Sequence, residues 1–320
     1  MKIPFERTIA NAYRFAFSNI LTILGIGWFP FLLVGLVAAG LIFALLPQLS
    51  VLLTMGQDKW SPAQIVAAVM PMVGAASLIV IVQIIATSMV SVGVMRKALG
   101  QHPGPYLFFF SLGSQVWRLI GAYVLVVLLA WGSGLLLALA ITGVSIVLSK
   151  ISTSIQVLGT TLMVVAAVWW WIYALVRVQF FLPAIVVAEN HIGIRRSWSL
   201  GRGNFWRIVG IVLITTIPVG IANSTINQSL IQFALGPQLL PVTGWPRDPS
   251  HSAMTPAELQ HLFTALFGAF RRVWPYMLAF EMLYFILLIG LTVGAVATAY
   301  NFVTGGPEIS PPSGSKKASA

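Results

Sequence analysis

The chain has 320 residues, of which 58% are hydrophobic and only 8% are charged. Soluble domains have about 45–50% apolar and about 25% charged residues, so the composition excludes a soluble enzyme, a disordered protein and a secreted disulfide scaffold. Most of the surface is therefore predicted to face lipid. The net charge of +11 would suggest nucleic acid in a soluble protein, but in a membrane protein it indicates basic cytoplasmic loops. With no cysteine and four scattered histidines, we predict no metal, no cofactor and no nucleic-acid partner.

Residues 1–19 have an amphipathic pattern, in which Phe5, Ile9 and Tyr13 recur every four residues. This predicts an interfacial helix on the inner surface of the membrane. A membrane-spanning helix needs about 20 mostly apolar residues, and six stretches qualify. The predicted spans are about 20–46, 64–95, 119–148, 158–188, 208–235 and 276–303. The predicted fold is thus an all-α integral membrane protein with six transmembrane helices in one domain (1–303), followed by a disordered cytoplasmic tail at 304–320.

The last two spans carry further local signals. The fifth turns polar after Ala222, so either Asn223 and Asn227 line a wet cavity or the span ends there. In the sixth, Gly290-x-x-x-Gly294 predicts close packing with another helix. Before it, Thr255 followed by Pro-Ala-Glu predicts the start of a separate outer helix.

Basic residues and an internal similarity give the topology. With the N-terminus inside, twelve of the 18 lysines and arginines lie in cytoplasmic segments and five in outer loops, which places both termini in the cytoplasm. Residues 111–121 (SLGSQVWRLIG) resemble residues 199–210 (SLGRGNFWRIVG), and both place Trp-Arg before a span. Residues 18–25 (SNILTILG) are a fainter relative of residues 203–210. We interpret the three copies as three related units, each an amphipathic segment followed by a two-helix hairpin. The alternative is that selection for basic, aromatic anchors makes such loops alike.

One stretch, Arg177–Arg207, reads RVQFFLPAIVVAENHIGIRRSWSLGRGNFWR. It resembles the membrane domain that precedes the catalytic domain in some bacterial glycerophosphodiester phosphodiesterases, and that also occurs alone. The matching pattern is an intrahelical Arg, Leu-Pro-Ala at 182–184, an apolar run to Glu189, and a basic-Ser-Trp-x-Leu segment leading to Phe-Trp at 205–206. The resemblance implies a stand-alone membrane domain of the bacterial inner membrane. The chain has no His-Arg-Gly and only seven acidic residues, so it is predicted not to be an enzyme.

Two charges lie within apolar spans, Arg177 and Glu281. An intramembrane arginine is costly and usually has a partner. If Trp169–Trp171 form the outer aromatic belt, Arg177 lies near mid-membrane, where a pair with Glu281 is one hypothesis and separate contacts are the other. If the span ends near residue 176, Arg177 reaches the inner interface and Phe180–Val187 lies flat behind a proline.

The loop after the fourth span combines guanidinium groups, which bind phosphate, with aromatic rings suited to the headgroup region. The candidate residues for lipid-headgroup or anion binding are Arg195, Arg196, Arg202, Arg207 and Trp206. An ordinary anchored cytoplasmic loop explains the same residues. The leading hypothesis is a non-enzymatic module that interacts with membrane lipids or a protein partner. The alternative is a small transporter or lipid-translocating protein with a polar path near Arg177.

Overall fold

The computed structural model describes residues 2–54, 62–101, 112–243 and 256–306. Within these ranges the chain is helical and contains no strand. The predicted tail from residue 307 onward and the proposed helix cap Thr255 lie outside the described residues. The helices are α1 (Phe5–Ser18), α2 (Ile20–Thr54), α3 (Pro62–Ala98), α4 (Ser114–Ser149), α5 (Thr153–Gln179), α6 (Leu182–Ala188), α7 (Ile194–Leu200), α8 (Phe205–Thr243) and α9 (Pro256–Thr304).

Six helical stretches are long and apolar enough to cross a membrane, which confirms the predicted all-α membrane protein. They are Ile20–Leu45, Val69–Ala98, Ser114–Ser149, Thr153–Ala188, Phe205–Phe233 and Arg271–Thr304. Consecutive long helices pair as three hairpins, α2–α3, α4–α5 and α8–α9, and the hairpins touch one another through α3–α4, α5–α8 and α2–α9. The spans therefore follow one another around a ring, and α3 also contacts α9 across it. The duplication of the hairpins stays a prediction.

The fourth span is broken into α5 and α6. Pro183 has no backbone N–H, and in a continuous helix its ring would clash with the carbonyl of Gln179, so the helix ends and restarts. Residues 184–187 of α6 are at most 2% exposed, and α6 contacts α3, α4, α5 and α9. This short helix is thus buried inside one end of the ring. The alternative in which Phe180–Val187 lies flat behind Pro183 is wrong, because the bundle surrounds these side chains.

Helix α1 packs on α9 through small residues on both sides. Its buried face includes Ala12, Phe15 and Ala16. A Cβ atom added at Gly294 would lie 2.9 Å from the Phe15 ring and 3.3 Å from backbone atoms of Ala12, and one at Gly290 would lie 3.4 Å from the Ala16 Cβ. The Gly-x-x-x-Gly motif therefore has α1 as its packing partner, and this face of the predicted interfacial helix meets the bundle.

The last two long helices differ from the prediction in where they end. Helix α8 continues through Ala222 to Thr243, so the fifth helix does not stop where its sequence turns polar. Helix α9 begins at Pro256, close to the predicted start of an outer helix, but runs through Pro275 to Thr304 without a break. The outer helix and the sixth span are one element. An internal proline removes one backbone hydrogen bond, and packed membrane helices tolerate this loss.

Replacing Gly294 by leucine tests the docking of α1. The backbone of Ala12 leaves no room for the new side chain, so we expect Gly294→Leu to lower stability by about 1–3 kcal/mol, as overpacking usually does. Thermal unfolding in detergent measures the loss. Because the chain has no native cysteine, thiol labelling of Ala12→Cys, a fully buried position, reports whether α1 has come away.

The matched control is Gly143→Leu in α4, where an added Cβ meets nothing within 4 Å. It introduces the same side chain at an exposed position and should leave both readouts unchanged. Equal stability and equal Ala12→Cys protection in the two variants would contradict the α1–α9 contact.

Candidate functional site

Arg177 lies in the last turn of α5 and is only 5% exposed. Its Nη1 donates to the Tyr173 hydroxyl at 2.7 Å, and its Nη2 donates to the Trp198 carbonyl at 2.8 Å. The guanidinium carbon also sits 4.1 Å from the centre of the Trp198 ring, a cation–π distance. The Trp198 carbonyl belongs to the last turn of α7, where carbonyls lack intrahelical partners and a cation is favoured. Arg177 therefore stabilises the C-terminal end of α7.

The carbonyls exposed by the break between α5 and α6 are also satisfied by side chains. The hydroxyl of Ser197 in α7 donates to the Val178 carbonyl at 2.6 Å and to the Arg177 carbonyl at 3.2 Å. Gln115 of α4 donates to the Val187 carbonyl near the end of α6 at 3.2 Å and accepts a 2.7 Å bond from Arg96 of α3. A buried backbone group without a partner costs about 1–3 kcal/mol, so these contacts let an irregular segment enter the apolar interior.

The turn after α6 is tied to α4, α7 and α9. Glu189 accepts hydrogen bonds from Tyr300 of α9 at 2.9 Å and from Arg196 of α7 at 3.4 Å. Asn190 has a positive φ of 58°, which asparagine tolerates better than most residues. Its carbonyl and its side-chain oxygen both accept from Arg118 of α4. The segment from α6 to α7 is thereby fixed to three neighbouring helices.

The beginning of the chain is tied to the start of α8. The backbone N–H of Ile3 donates to the buried Asn204 side chain at 3.0 Å, and the Ile3 carbonyl accepts from Arg207 at 2.6 Å. Arg207 thus acts like Arg118, its counterpart in the similar loop, because each binds a backbone carbonyl of a neighbouring segment. The Trp before each arginine is exposed, 55% at Trp117 and 69% at Trp206.

The hypothesis of a contact between Arg177 and Glu281 is wrong, because each side chain has other partners. Glu281 accepts a 2.5 Å hydrogen bond from Asn227 of α8, whose amide also approaches Asn223 at 3.3 Å. Tyr300, at the α7 end of the bundle, is 19 residues from Glu281 in the same helix, or about 28 Å at 1.5 Å per residue. Arg177 lies at the α7 end, as predicted by the alternative in which the fourth span ends near residue 176.

The five candidate anion-binding residues divide into two groups. Arg196 and Arg207 have the internal partners given above. Arg195 and Arg202 are exposed, and within the described ranges neither forms a hydrogen bond or ion pair with another side chain. Trp206 is exposed beside the Trp169 ring, with 5.6 Å between centroids. We call residues 194–207 the basic platform; its exposed surface carries Arg195, Arg202, Trp198 and Trp206.

Two apolar cavities open between neighbouring helices. The first, about 570 Å³, separates α4 from α5. Its lining residues are Val126, Val127, Ala130, Trp131, Gly134, Leu135, Ala138, Trp171, Leu175 and Gln179. The second, about 380 Å³, separates α3 from α4 and shares Val127 with the first. Arg177 lines neither of them.

Sequence reasoning missed the residues that hold the platform in place. The sequence does not point to Gln115, Ser197 or Tyr300, because their hydrogen-bond partners lie far away in the chain. The sequence does contain one signal: the apolar run from Phe180 to Ala188 follows an arginine within an apolar stretch and is too short to cross a membrane. Such a run, with Pro183 inside it, indicates a re-entrant segment whose helix ends need polar partners.

No protein-family model, no curated protein and no solved structure matches this chain significantly. The resemblance of residues 177–207 to the membrane domain of phosphodiesterases therefore stays a prediction. So do the absence of enzymatic activity and the absence of a cofactor or a metal.

Arg177→Met tests whether Arg177 is needed to dock α7. Methionine fills much of the same space but leaves the Trp198 carbonyl without its donor, so we expect a loss of about 1–3 kcal/mol. Thermal unfolding in detergent measures it, and Arg202→Met is the matched control at an exposed position.

Charge reversal tests the separation of Arg177 from Glu281. If Glu281→Arg restored the stability that Arg177→Glu loses, the two side chains would be in contact and their separate hydrogen-bond partners would be wrong.

Proposed function

We propose that this chain is a non-enzymatic membrane module whose basic platform binds the anionic headgroups of membrane lipids. That the chain is a multi-pass membrane protein rests on its six apolar helices. The lipid-binding role is supported by one observation: Arg195 and Arg202 are exposed on the same segment as the exposed Trp198 and Trp206, and other polar side chains of that segment bond it to neighbouring helices. Guanidinium groups pair well with phosphate, and tryptophan is favoured at the headgroup level.

The arginines of this region have different environments, which supports the proposal further. Arg177, Arg196 and Arg207 are engaged within the chain, and they position the platform. Glu189 is the single acidic residue between 177 and 207, and its carboxylate already binds Arg196 and Tyr300. Among the residues that the structure describes, Arg195 and Arg202 have no acidic partner, so we infer that their charge is available to an external anion.

The alternative of a transport path near Arg177 has less support. Arg177 is enclosed by Tyr173 and Trp198, and neither cavity described above reaches it. We therefore place the interaction with lipid at the outside of the platform.

We also propose that the protein belongs to the bacterial inner membrane, with both termini and the platform in the cytoplasm. The support is the excess of basic residues at this end of the chain's hairpins and the resemblance of residues 177–207 to a bacterial membrane domain. Anionic lipids of the cytoplasmic leaflet would then lie against the platform.

Neutralising the platform tests the lipid-binding function. We expect Arg195→Gln/Arg202→Gln to lower the amount of phosphatidylglycerol that remains bound, because two exposed phosphate partners are lost. Each surface charge contributes about 1 kcal/mol to attraction by an anionic membrane, so loss of both should weaken phosphatidylglycerol binding by roughly 30-fold. Native mass spectrometry of protein from vesicles of phosphatidylglycerol and phosphatidylcholine gives the ratio of the two lipids.

The control is Arg271→Gln/Arg272→Gln, which removes the same charge from two exposed residues far along α9 from Tyr300. This variant should keep the wild-type lipid ratio at the platform. Unchanged phosphatidylglycerol retention in the platform variant, or equal losses in both variants, would exclude a headgroup site there.

The orientation is tested by single cysteines in a chain that has none of its own. Lys150 is exposed at the turn between α4 and α5. Ser199 is exposed in α7, which bonds to the last turn of α5 at the other end of that hairpin. In intact bacterial cells, a membrane-impermeant maleimide should label Lys150→Cys but not Ser199→Cys until the cells are opened. The reverse pattern would place the platform outside.

A further inference from the structure

Helix α1 runs alongside the membrane-spanning helices, well past the start of α8. Ile3 lies at that start, where its backbone N–H binds Asn204. Ten residues later, the Tyr13 hydroxyl donates to the Ile214 carbonyl at 2.9 Å. Ile214 is nine residues inside the apolar stretch that begins at Phe205, which corresponds to about 14 Å at 1.5 Å per residue. The second half of α1 therefore lies beside the apolar part of α8.

The contact with α9 places α1 at the same level. A Cβ atom added at Gly294 would lie 3.3 Å from backbone atoms of Ala12. Gly294 is ten residues inside the end of the sixth apolar stretch at Thr304, which corresponds to about 15 Å. Two neighbouring helices thus agree that residues 12–14 of α1 lie deep along helices that are apolar enough to cross a membrane.

The face of α1 that points away from the bundle carries two arginines. Arg7, Ala10, Arg14 and Phe17 recur every three or four residues, so they form one stripe, and all four are exposed. Leu21, in the first turn of α2, is also exposed. Within the described ranges neither arginine forms a hydrogen bond or an ion pair with another residue. This outward surface therefore changes from basic to apolar between Arg14 and Phe17.

The neighbouring surface at the level of Arg14 is apolar. Helix α8 exposes Leu213 and Ile217 there, and these side chains suit acyl chains better than water. Nearer the platform, α8 exposes Trp206, and tryptophan is favoured at the headgroup level. Ile214 follows Trp206 by eight residues, so the level of Arg14 is about 12 Å further from the platform.

A phospholipid meets both requirements of this surface. An arginine among acyl chains is costly, and the cost falls when its guanidinium reaches toward the headgroups or when the bilayer thins locally. Guanidinium groups also pair strongly with phosphate. The order along the stripe, two arginines followed by apolar side chains, is the order of phosphate and acyl chains in a phospholipid. An acidic protein partner is a poorer occupant, because its carboxylates would enter the same apolar level.

We propose that Arg7 and Arg14 bind phospholipid phosphates below the level of Trp206, so that the leaflet on the platform side is thinner along α1 than along α5. The site is separate from the platform. It binds the phosphate that all phospholipids share, whereas the proposed function of the platform is to bind anionic headgroups.

Spin labelling in phosphatidylcholine vesicles tests the local thinning. The chain has no native cysteine, so a nitroxide can be attached at Ala10→Cys, between the two arginines and about 8 Å below the level of Trp206. The matched position is Val165→Cys of α5, which is exposed. It lies about 6 Å below Trp169, whose ring is beside that of Trp206.

We expect the label at Ala10→Cys to meet water and phosphate, and the label at Val165→Cys to meet acyl chains. The ratio of accessibility to a water-soluble nickel complex over accessibility to oxygen should be several-fold higher at Ala10→Cys. The label there should also increase the relaxation rate of the lipid phosphorus nuclei more than the label at Val165→Cys does.

Variants of the arginines show whether they cause the difference. Arg7→Leu/Arg14→Leu should lower the ratio at Ala10→Cys to that at Val165→Cys, because no charge then draws phosphate inward. Arg14→Lys should keep the wild-type ratio, since lysine retains the charge. The matched control is Arg195→Leu/Arg202→Leu, which removes two exposed arginines from the platform and should leave the label at Ala10→Cys unaffected.

Equal ratios at the two labelled positions would overturn the proposal, and so would a ratio at Ala10→Cys that Arg7→Leu/Arg14→Leu does not change. Low accessibility to both reagents at Ala10→Cys would also overturn it, because a second copy of the chain would then cover α1. The vesicles contain only phosphatidylcholine, so each of these outcomes is independent of whether the platform retains phosphatidylglycerol.

Discussion

The structure depends on how carbonyl groups are satisfied where a helix ends inside an apolar bundle. Such groups cannot turn to water, so each requires a donor from the protein. At the break before Pro183, Ser197 donates to carbonyls in the last turn of α5. At the ends of α6 and α7, Gln115 and Arg177 supply the donors. The same hydrogen bonds that make the break tolerable also fix α7 in place. The position of the platform, with its exposed arginines, therefore follows from the hydrogen bonds that satisfy these carbonyls.

This view also explains how Arg177 can be buried with no carboxylate partner among the described residues. Its charge meets the negative end of α7, two aromatic faces and a hydroxyl, and these together offset its removal from water. Glu281 is stabilised differently, by an amide of α8. The two charges therefore lie in different parts of the bundle and have separate roles: Arg177 holds α7 in place, and Glu281 joins the two helices of the last hairpin.

The sequence predicts the features that depend on local pattern. The six spans and the amphipathic α1 follow from hydrophobicity and its period, and Gly290 and Gly294 indicate a close contact although not with which helix. What it could not predict depends on distant partners. Nothing near Arg177 in sequence points to Trp198 as its acceptor, and nothing near Ala222 shows that Asn227 continues a helix that meets Glu281. The exposed and engaged arginines are adjacent in sequence at 195 and 196, so only the fold distinguishes them.

The contact between α1 and α9 has a consequence for how the protein is made. The surface that receives Ala12 is formed by Gly294, about 280 residues later in the chain. At roughly 5–20 residues per second, the ribosome needs on the order of 14–56 s to produce it. During that interval the apolar face of α1 must be covered by something other than α9, and its amphipathic pattern suits a membrane surface. The assembled bundle then closes by bringing the oldest and the newest parts of the chain together.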